Sequence, residues 1–284
     1  MRWQGRRKSD NVEDRRGIGG RGLAVGGGLG GLIIIVLFVL LGGNPDEVMQ
    51  SLQTESSVPP TTAGQPLSEK DKEMGDFVSV VLADIEDVWK AQFQAAGHVY
   101  REPRLVLYTG TVDSGCGFSG AASGPFYCPA DEKVYLDLSF FEDMQRKLGA
   151  PGDFALAYVI AHEVGHHVQN LLGINEQVMA QRGRVSEREF NQLLVRMELQ
   201  ADFLAGVWAH YARRATDFLE SGDIEEGINA AGAVGDDRIQ RQTQGTVVPD
   251  AFTHGSSEQR IRWFRKGLES GDLGQGDTFA ATVL

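Results

Sequence analysis

An uncharged stretch of nineteen residues, from Leu23 to Leu41, places the strongest constraint on how this chain can fold. A helix over these residues would be about 28 Å long at 1.5 Å per residue, which matches the hydrocarbon core of a bilayer. A cleaved signal peptide is the alternative interpretation, but residues 40–45 offer no good pair of small residues at the spacing of a cleavage site. The stretch therefore predicts one transmembrane helix over residues 22–43.

The distribution of charge predicts how that helix is oriented. Residues 1–21 carry seven basic and three acidic side chains, whereas the whole chain has a net charge of −12. Because basic flanks of membrane helices stay inside, residues 1–21 are predicted to be a basic cytoplasmic segment, with everything after the helix outside. The acidic body would repel phosphates, which argues against nucleic acid as a partner. The spacing of Gly26 and Gly30 would let two such helices pack as a homodimer.

Composition divides the remaining chain into three parts. Residues 44–67 are rich in Pro, Ser and Thr and are predicted to be a disordered linker. Residues 68–272 have the apolar periodicity of a folded domain, and residues 273–284 are interpreted as a C-terminal tail. The two cysteines, Cys116 and Cys128, are predicted to form a disulfide, because an extracytoplasmic compartment is oxidising. Two unpaired thiols are the alternative.

The domain contains five stretches with helical spacing of apolar residues, each preceded by a residue of N-cap type. The predicted helix starts are Ser68, Ser139, Asp153, Ser186 and Ser256. Two short β-prone runs, residues 104–109 and 133–138, predict a small sheet. The domain is therefore predicted to be α+β and mostly helical, with a small β-sheet.

The third of these helices contains the motif H-E-x-x-H, with His162, Glu163 and His166 in its three defined positions. Residues four apart share a face of a helix, so both imidazoles can bind one metal ion. Glu163 is offset to the edge of that face, where its carboxylate can take a proton from a metal-bound water. A chance match is disfavoured, because the chain has only six histidines.

A catalytic zinc site takes three protein ligands and leaves the fourth position to water, so a third donor is required. The metzincin pattern cannot supply it, because Gln169 and Leu172 stand where that pattern needs glycine and histidine. Glu198 is predicted to be the third ligand, and Asp202, one turn later, to accept the outer N–H of a ligating histidine. An exposed acidic helix face is the alternative interpretation of this pair.

Two segments resemble the motifs of a known family. His162 to Gln169 and Glu198 to Asp202 look like the H-E-x-G-H-H-V-Q and E-L-Q-A-D motifs of the neutral zinc metallopeptidase family of bacterial membrane proteins. The segment from Thr253 to Arg260 also looks like a family signature, and the likeness covers about residues 68–270. The resemblance implies a gluzincin-like core, one Zn²⁺ ion, proteolysis and a place in a bacterial plasma membrane.

His254, within that signature, has three interpretations. A catalytic role is predicted, in which its imidazole stabilises the oxyanion formed during attack on a peptide carbonyl. It could instead replace Glu198 as the third ligand, or only pack near the helix that begins at Ser256. His167 lies about 100° around the helix from His166 and is predicted to be structural.

Together these residues predict a membrane-anchored, zinc-dependent metallopeptidase, a hydrolase and more specifically an endopeptidase, that acts on polypeptides. Zinc would polarise the peptide carbonyl and lower the pKa of its bound water, and Glu163 would carry the proton to the leaving amine. The substrate is predicted to lie as an extended strand beside residues 133–138. The alternative is a non-catalytic, zinc-stabilised binding or assembly module that is tethered to the membrane.

Overall fold

The computed structural model of the protein describes residues 1–16, 67–120, 124–215 and 218–284. Its helices are α1 (Glu69–Ala95), α2 (Ser139–Arg146), α3 (Asp153–Leu171), α4 (Ile174–Met179), α5 (Glu187–Ala215), α6 (Asp223–Ala233), α7 (Asp236–Gln244) and α8 (Ser257–Ser270). Its strands are β1 (Val12–Asp14), β2 (Arg104–Tyr108), β3 (Thr111–Ser114), β4 (Gly117–Gly120), β5 (Phe126–Cys128) and β6 (Lys133–Asp137). The predicted class, α+β and mostly helical with a small sheet, is confirmed.

The main sheet has four strands in the order β1-β2-β6-β5. β2 pairs in parallel with both β1 and β6, whereas β5 runs antiparallel to β6. β6 therefore has a neighbour on each side, and the prediction that a substrate strand adds beside residues 133–138 is wrong. Among the described strands, the edge next to β6 is formed by β5, whose last residue is joined to Cys116 by the Cys116–Cys128 disulfide.

Three of the predicted helix N-termini are capped by side chains, as expected. Ser68 and Ser256 each form a capping box with the residue three positions later, at the starts of α1 and α8. Ser186 makes the same reciprocal hydrogen bonds with Glu189 before α5. The prediction at Ser139 differs, because the carboxylate of Asp137 accepts the Ser139 N–H from outside the helix, at 2.9 Å. α3 begins at Asp153 itself, after Gly152.

Helices α3, α5 and α8 pack closely enough to form one core. A Cβ atom on Gly165 of α3 would lie 3.0 Å from the backbone oxygen of Ala201 in α5. A Cβ on Gly206 or on Gly267 would lie 2.1 Å from a backbone oxygen of the other helix, α8 or α5. Because only glycine leaves this space free, these positions set how near the backbones approach. α3 is buried along almost its whole length as a result.

The N-terminal sixteen residues pack on this domain, whereas the sequence predicted a separate basic segment over residues 1–21. β1 extends the sheet beside β2, with Val12 opposite Leu105. Arg6 lies 3.2 Å from Asp84 of α1, and Ser9 donates to Glu86 of α1 at 2.6 Å. The basic composition of this segment thus complements buried carboxylates of α1 and has a structural reason that is independent of any membrane.

The pairing of β1 with β2 also bears on the predicted membrane topology. Within the described residues, no helix combines the length and apolar character needed to span a bilayer. The predicted helix over residues 22–43, the linker up to residue 66 and the Gly26/Gly30 contact lie outside the described residues. Paired strands must lie on the same side of a membrane, however. The predicted orientation, with residues 1–16 in the cytoplasm and the domain outside, therefore does not agree with the pairing of β1 and β2.

The C-terminal residues 273–284, predicted to be a tail, also pack on the domain. Thr278 is fully buried, and its hydroxyl donates to the backbone oxygen of Arg196 at 2.6 Å. The Arg196 guanidinium in turn donates to the backbone oxygen of Ala281 at 3.0 Å. The domain therefore extends through the last residues of the chain.

The docking of the N-terminal segment predicts that Asn11→Leu destabilises the protein. Asn11 donates to Glu86 at 2.8 Å, and Glu86 is only 1% exposed. Loss of this donor leaves a buried carboxylate short of a partner, so the free energy of unfolding should fall by about 1–3 kcal/mol. Urea denaturation followed by circular dichroism measures this change. Asp10→Ala, at an exposed neighbouring position, should shift it by less than about 0.5 kcal/mol. Unchanged stability of Asn11→Leu would contradict the docking.

Candidate metal centre

The two histidines of the H-E-x-x-H motif lie on one face of α3. The centroids of the His162 and His166 rings are 4.8 Å apart and the rings are nearly perpendicular, at 88°. Both side chains are largely buried between α3 and α5. This geometry follows from the spacing of four residues on a helix, and α3 is fixed in place because it is buried along almost its whole length.

Glu198 of α5 completes the group. Its Oε2 lies 3.1 Å from His162 Nε2, and its Oε1 lies 3.4 Å from His166 Nε2. The ligand atoms that these three residues offer all lie within 4.8 Å of one another. The structure thus brings together the two imidazoles and the carboxylate named from the sequence, while His254 is not a member of this group. Two nitrogens and one oxygen in this arrangement form a suitable set for zinc.

Asp202, one turn after Glu198, lies behind His162. Its Oδ1 is 2.8 Å from His162 Nδ1, and the carboxylate is completely buried. A hydrogen bond from Nδ1 leaves the lone pair of Nε2 free on the side of Glu198. The structure therefore places Asp202 where the sequence predicted it, within hydrogen-bonding distance of His162 Nδ1.

Two residues that sequence reasoning missed hold Asp202 in place. Arg260 of α8 donates through Nε to Oδ2 at 2.8 Å and through Nη2 to Oδ1 at 3.0 Å. The Tyr158 hydroxyl donates to Oδ1 at 2.5 Å. Tyr158 precedes His162 by one helical turn, and Arg260 ends the signature that contains His254. Both could have been found by asking which partners a buried carboxylate needs.

Electrostatics show that the centre favours positive charge. Burial lowers the pKa of His162, but the carboxylates of Asp202 and Glu198 outweigh burial and raise it to about 10. Burial likewise raises the pKa of Glu198, yet the histidine charges near it hold that pKa well below its usual value. A carboxylate whose pKa is held low and an imidazole whose pKa is raised both indicate a site that favours positive charge, as a divalent metal ion would supply.

Glu163 lies beside this group and has no fixed partner. Its side chain is 8% exposed, and it makes no hydrogen bond or ion pair with any residue that the structure describes. A carboxylate at the edge of a metal group that no other side chain binds remains available for chemistry. Glu163 is therefore available to accept a proton.

His254 lies on the loop before α8 and is held by Asp236, the first residue of α7. The His254 Nδ1 is 3.2 Å from Asp236 Oδ1. Asp236 Oδ2 accepts the backbone N–H groups of Thr253, His254 and Gly255 at 2.8, 2.7 and 3.1 Å. The imidazole remains half-exposed, at 51%. This arrangement fixes the loop and leaves the ring open to a bound molecule.

The neighbouring His167 has a structural role in this geometry. Its Nε2 lies 2.6 Å from the backbone oxygen of Arg101, so Nε2 carries the hydrogen. Its Nδ1 then accepts from the Tyr127 hydroxyl at 3.0 Å. His167 thereby ties β5, through Tyr127, to α3.

A second acidic group in the described residues, formed by Asp153, Asp223 and Glu226, is also compact enough for an ion. Its negative charge is already compensated by a cation, because the amino group of Met1 lies 3.0 Å from Asp153 and 3.4 Å from Asp223. It contains no nitrogen or sulfur ligand. The His162, His166 and Glu198 group is therefore the candidate centre.

The ion pair of Arg260 with Asp202 predicts a large effect of Arg260→Met on stability. The substitution leaves a fully buried carboxylate without its main counter-charge, which should lower the free energy of unfolding by about 3–5 kcal/mol in urea denaturation. Arg262→Met is the matched control, because Arg262 is exposed and pairs with Glu258 one turn away. It should cost less than about 1 kcal/mol. Equal losses in both variants would refute the importance of the buried pair.

Comparison with known proteins agrees with this geometry. The model of a family described as "Putative neutral zinc metallopeptidase" matches residues 1–279. The chain is 50% identical over 289 residues to the uncharacterized protein YpfJ of Escherichia coli (strain K12), with 100% of both chains covered. It is 43% identical over 210 residues to the uncharacterized protein Rv2575 of Mycobacterium tuberculosis (strain ATCC 25618 / H37Rv), covering 70% of this chain and 69% of that protein.

No solved structure matches the chain. The family match extends over the N-terminal segment, the sheet and all the residues of the candidate centre. The chain therefore belongs to the neutral zinc metallopeptidase family, whose cofactor is zinc.

Proposed function

We propose that the protein is an endopeptidase that hydrolyses internal peptide bonds of polypeptides at the His162, His166 and Glu198 centre. The observation that carries this proposal is a buried, unpaired Glu163 next to three converging ligands. A structural zinc site needs four ligands and no free base, whereas a hydrolytic site needs three ligands and a base. This difference favours catalysis over the alternative of a zinc-stabilised binding or assembly module.

Proton transfer by Glu163 is the central step of this mechanism. His162, His166 and Glu198 would hold a zinc ion, which would supply a more acidic water and polarise the peptide carbonyl. Glu163 takes one proton from the attacking water and gives it to the nitrogen of the leaving amine as the C–N bond breaks. The oxygen of the water becomes part of the new carboxyl group. Because Glu163 has passed its proton to the amine, its carboxylate is regenerated.

His254 is proposed to stabilise the negative charge that develops on the carbonyl oxygen. That role requires a hydrogen on the ring nitrogen opposite Asp236. Since Nδ1 needs its own hydrogen to donate to Asp236 Oδ1, the imidazole then carries both hydrogens and is charged. Partial burial lowers the pKa of His254, but the carboxylates of Glu198 and Asp236 outweigh it and raise the pKa. The charged form is therefore favoured where it is needed.

The substrate is proposed to lie along β5 instead of β6. Among the described strands, β5 forms the edge of the sheet next to β6, and the Tyr127–His167 hydrogen bond holds it against the helix that carries the centre. A peptide that pairs with such an edge is bound through its backbone, with little demand on its sequence. This mode suits an endopeptidase of broad specificity.

The place of action is proposed to be outside the bacterial cytoplasm, at the plasma membrane. The Cys116–Cys128 disulfide supports an oxidising compartment, and the apolar stretch from Leu23 to Leu41 supports contact with lipid. Residues 1–16 would lie on the same side as the domain, because β1 pairs with β2.

Glu163→Gln should strongly slow proteolysis and leave zinc binding intact. The amide has the shape of the carboxylate but cannot take a proton, so cleavage of an unfolded protein by the full chain should fall about 10²–10⁴-fold. Glu176→Gln, at an exposed position on α4, is the control and should behave as the wild type. Removal of zinc with a chelator should stop wild-type cleavage, and added zinc should restore it. Equal, chelator-insensitive cleavage by the Glu163→Gln variant would refute the mechanism.

His254→Phe should lower kcat about 10²–10³-fold with little change in KM, because the side chain acts on charge that forms only in the transition state. Steady-state kinetics on a fluorogenic peptide measures both constants. His98→Phe, at an exposed histidine, is the control. A change in KM alone, or a lost zinc ion, would contradict this role.

A further inference from the structure

Gln169, on the α3 turn that follows His166, is fully buried and lies against that ligand. Its Oε1 is 2.9 Å from His166 Nδ1. Among the residues that the structure describes, no carboxylate accepts from His166 Nδ1 in the way that Asp202 does from His162. The two ligating histidines are therefore held in different ways.

The orientation of the Gln169 amide is fixed by its other contacts. Its nitrogen lies 2.7 Å from the backbone oxygen of Met197, which can only accept a hydrogen bond. The same nitrogen lies 2.9 Å from Gln200 Oε1. Gln200 is oriented in turn, because its own nitrogen donates to the backbone oxygen of Gly276 at 3.0 Å. Two backbone carbonyls thus determine which way both amides point.

This orientation determines the tautomer of His166. Since the oxygen of Gln169 faces His166 Nδ1, a hydrogen bond between them requires the hydrogen to be on Nδ1. The Nε2 lone pair is then free on the side of Glu198, where a metal ion would be bound. The ring orientation of His166 therefore depends on a neutral amide and not on a charge.

We propose that Gln169 is the positioning residue for His166, and that Gln200 holds Gln169 in the required orientation. The proposal rests on the zinc site of the proposed function. A carboxylate could not replace this amide, because its second oxygen would face two acceptors, the Met197 carbonyl and Gln200 Oε1. Only an amide accepts on the side of His166 and donates on the side of α5.

Zinc affinity of the full chain, measured by competition with a chromogenic chelator, tests this proposal. Gln169→Leu should raise the dissociation constant for zinc about 10–100-fold, the usual effect of losing such a partner. Gln169→Glu should also weaken binding at neutral pH, although it adds a negative charge near the metal. Gln240→Leu is the matched control: Gln240 is a buried glutamine whose Oε1 accepts from Val248 N–H. It should lose stability but keep the wild-type zinc affinity.

A measurement on the wild type avoids any variant that fails to fold. Nitrogen chemical shifts of His166 in the zinc-loaded protein should show the hydrogen on Nδ1 and the metal on Nε2. Gln200→Leu, at a partly exposed position, should weaken zinc binding less than Gln169→Leu. Wild-type affinity in Gln169→Leu, tighter binding in Gln169→Glu, or metal on Nδ1 would overturn the proposal. Failure of the wild type to bind zinc would instead overturn the proposed function.

Discussion

The rest of the structure depends on the hydrogen bonds and the ion pair of one buried carboxylate, that of Asp202. It lies on α5 and accepts hydrogen bonds from Tyr158 and His162 of α3 and from Arg260 of α8. One ionised group therefore joins the three helices of the core. A carboxylate without water is stable only if its partners are fixed, so the same contacts that satisfy it also fix the relative positions of the helices.

This arrangement links stability with the proposed chemistry. His162 needs a partner on Nδ1 if its Nε2 is to bind metal, and Asp202 can serve only because Arg260 compensates its charge. Glycine at 165 and 206 brings the backbones near enough for these contacts. Glu163 is outside this network and has no side-chain partner among the described residues, which suits it to the proposed proton transfer.

The N-terminal segment illustrates a different use of charge. Arg6 and Arg7 lie along α1, where Asp84 and Glu86 are buried, and the short strand of the segment extends the sheet. Residues far apart in the chain thus satisfy acids that would otherwise be unpaired in the core. The positive charge near the N-terminus, read from the sequence as a membrane orientation signal, has a folding role within the domain.

The sequence by itself determined the local features: the capped helices, the two β-prone runs of the sheet, and the spacing that puts His162 and His166 on one face. It also identified Glu198 and Asp202, because the requirement for a third zinc ligand is chemical and the spacing of one helical turn is local. The docking of residues 1–16, the strand order that encloses β6, and the roles of Arg260 and Gln169 were decided only by the tertiary structure. Each depends on contacts between elements that are distant in sequence. Helical periodicity and short motifs describe only local structure and do not predict such contacts.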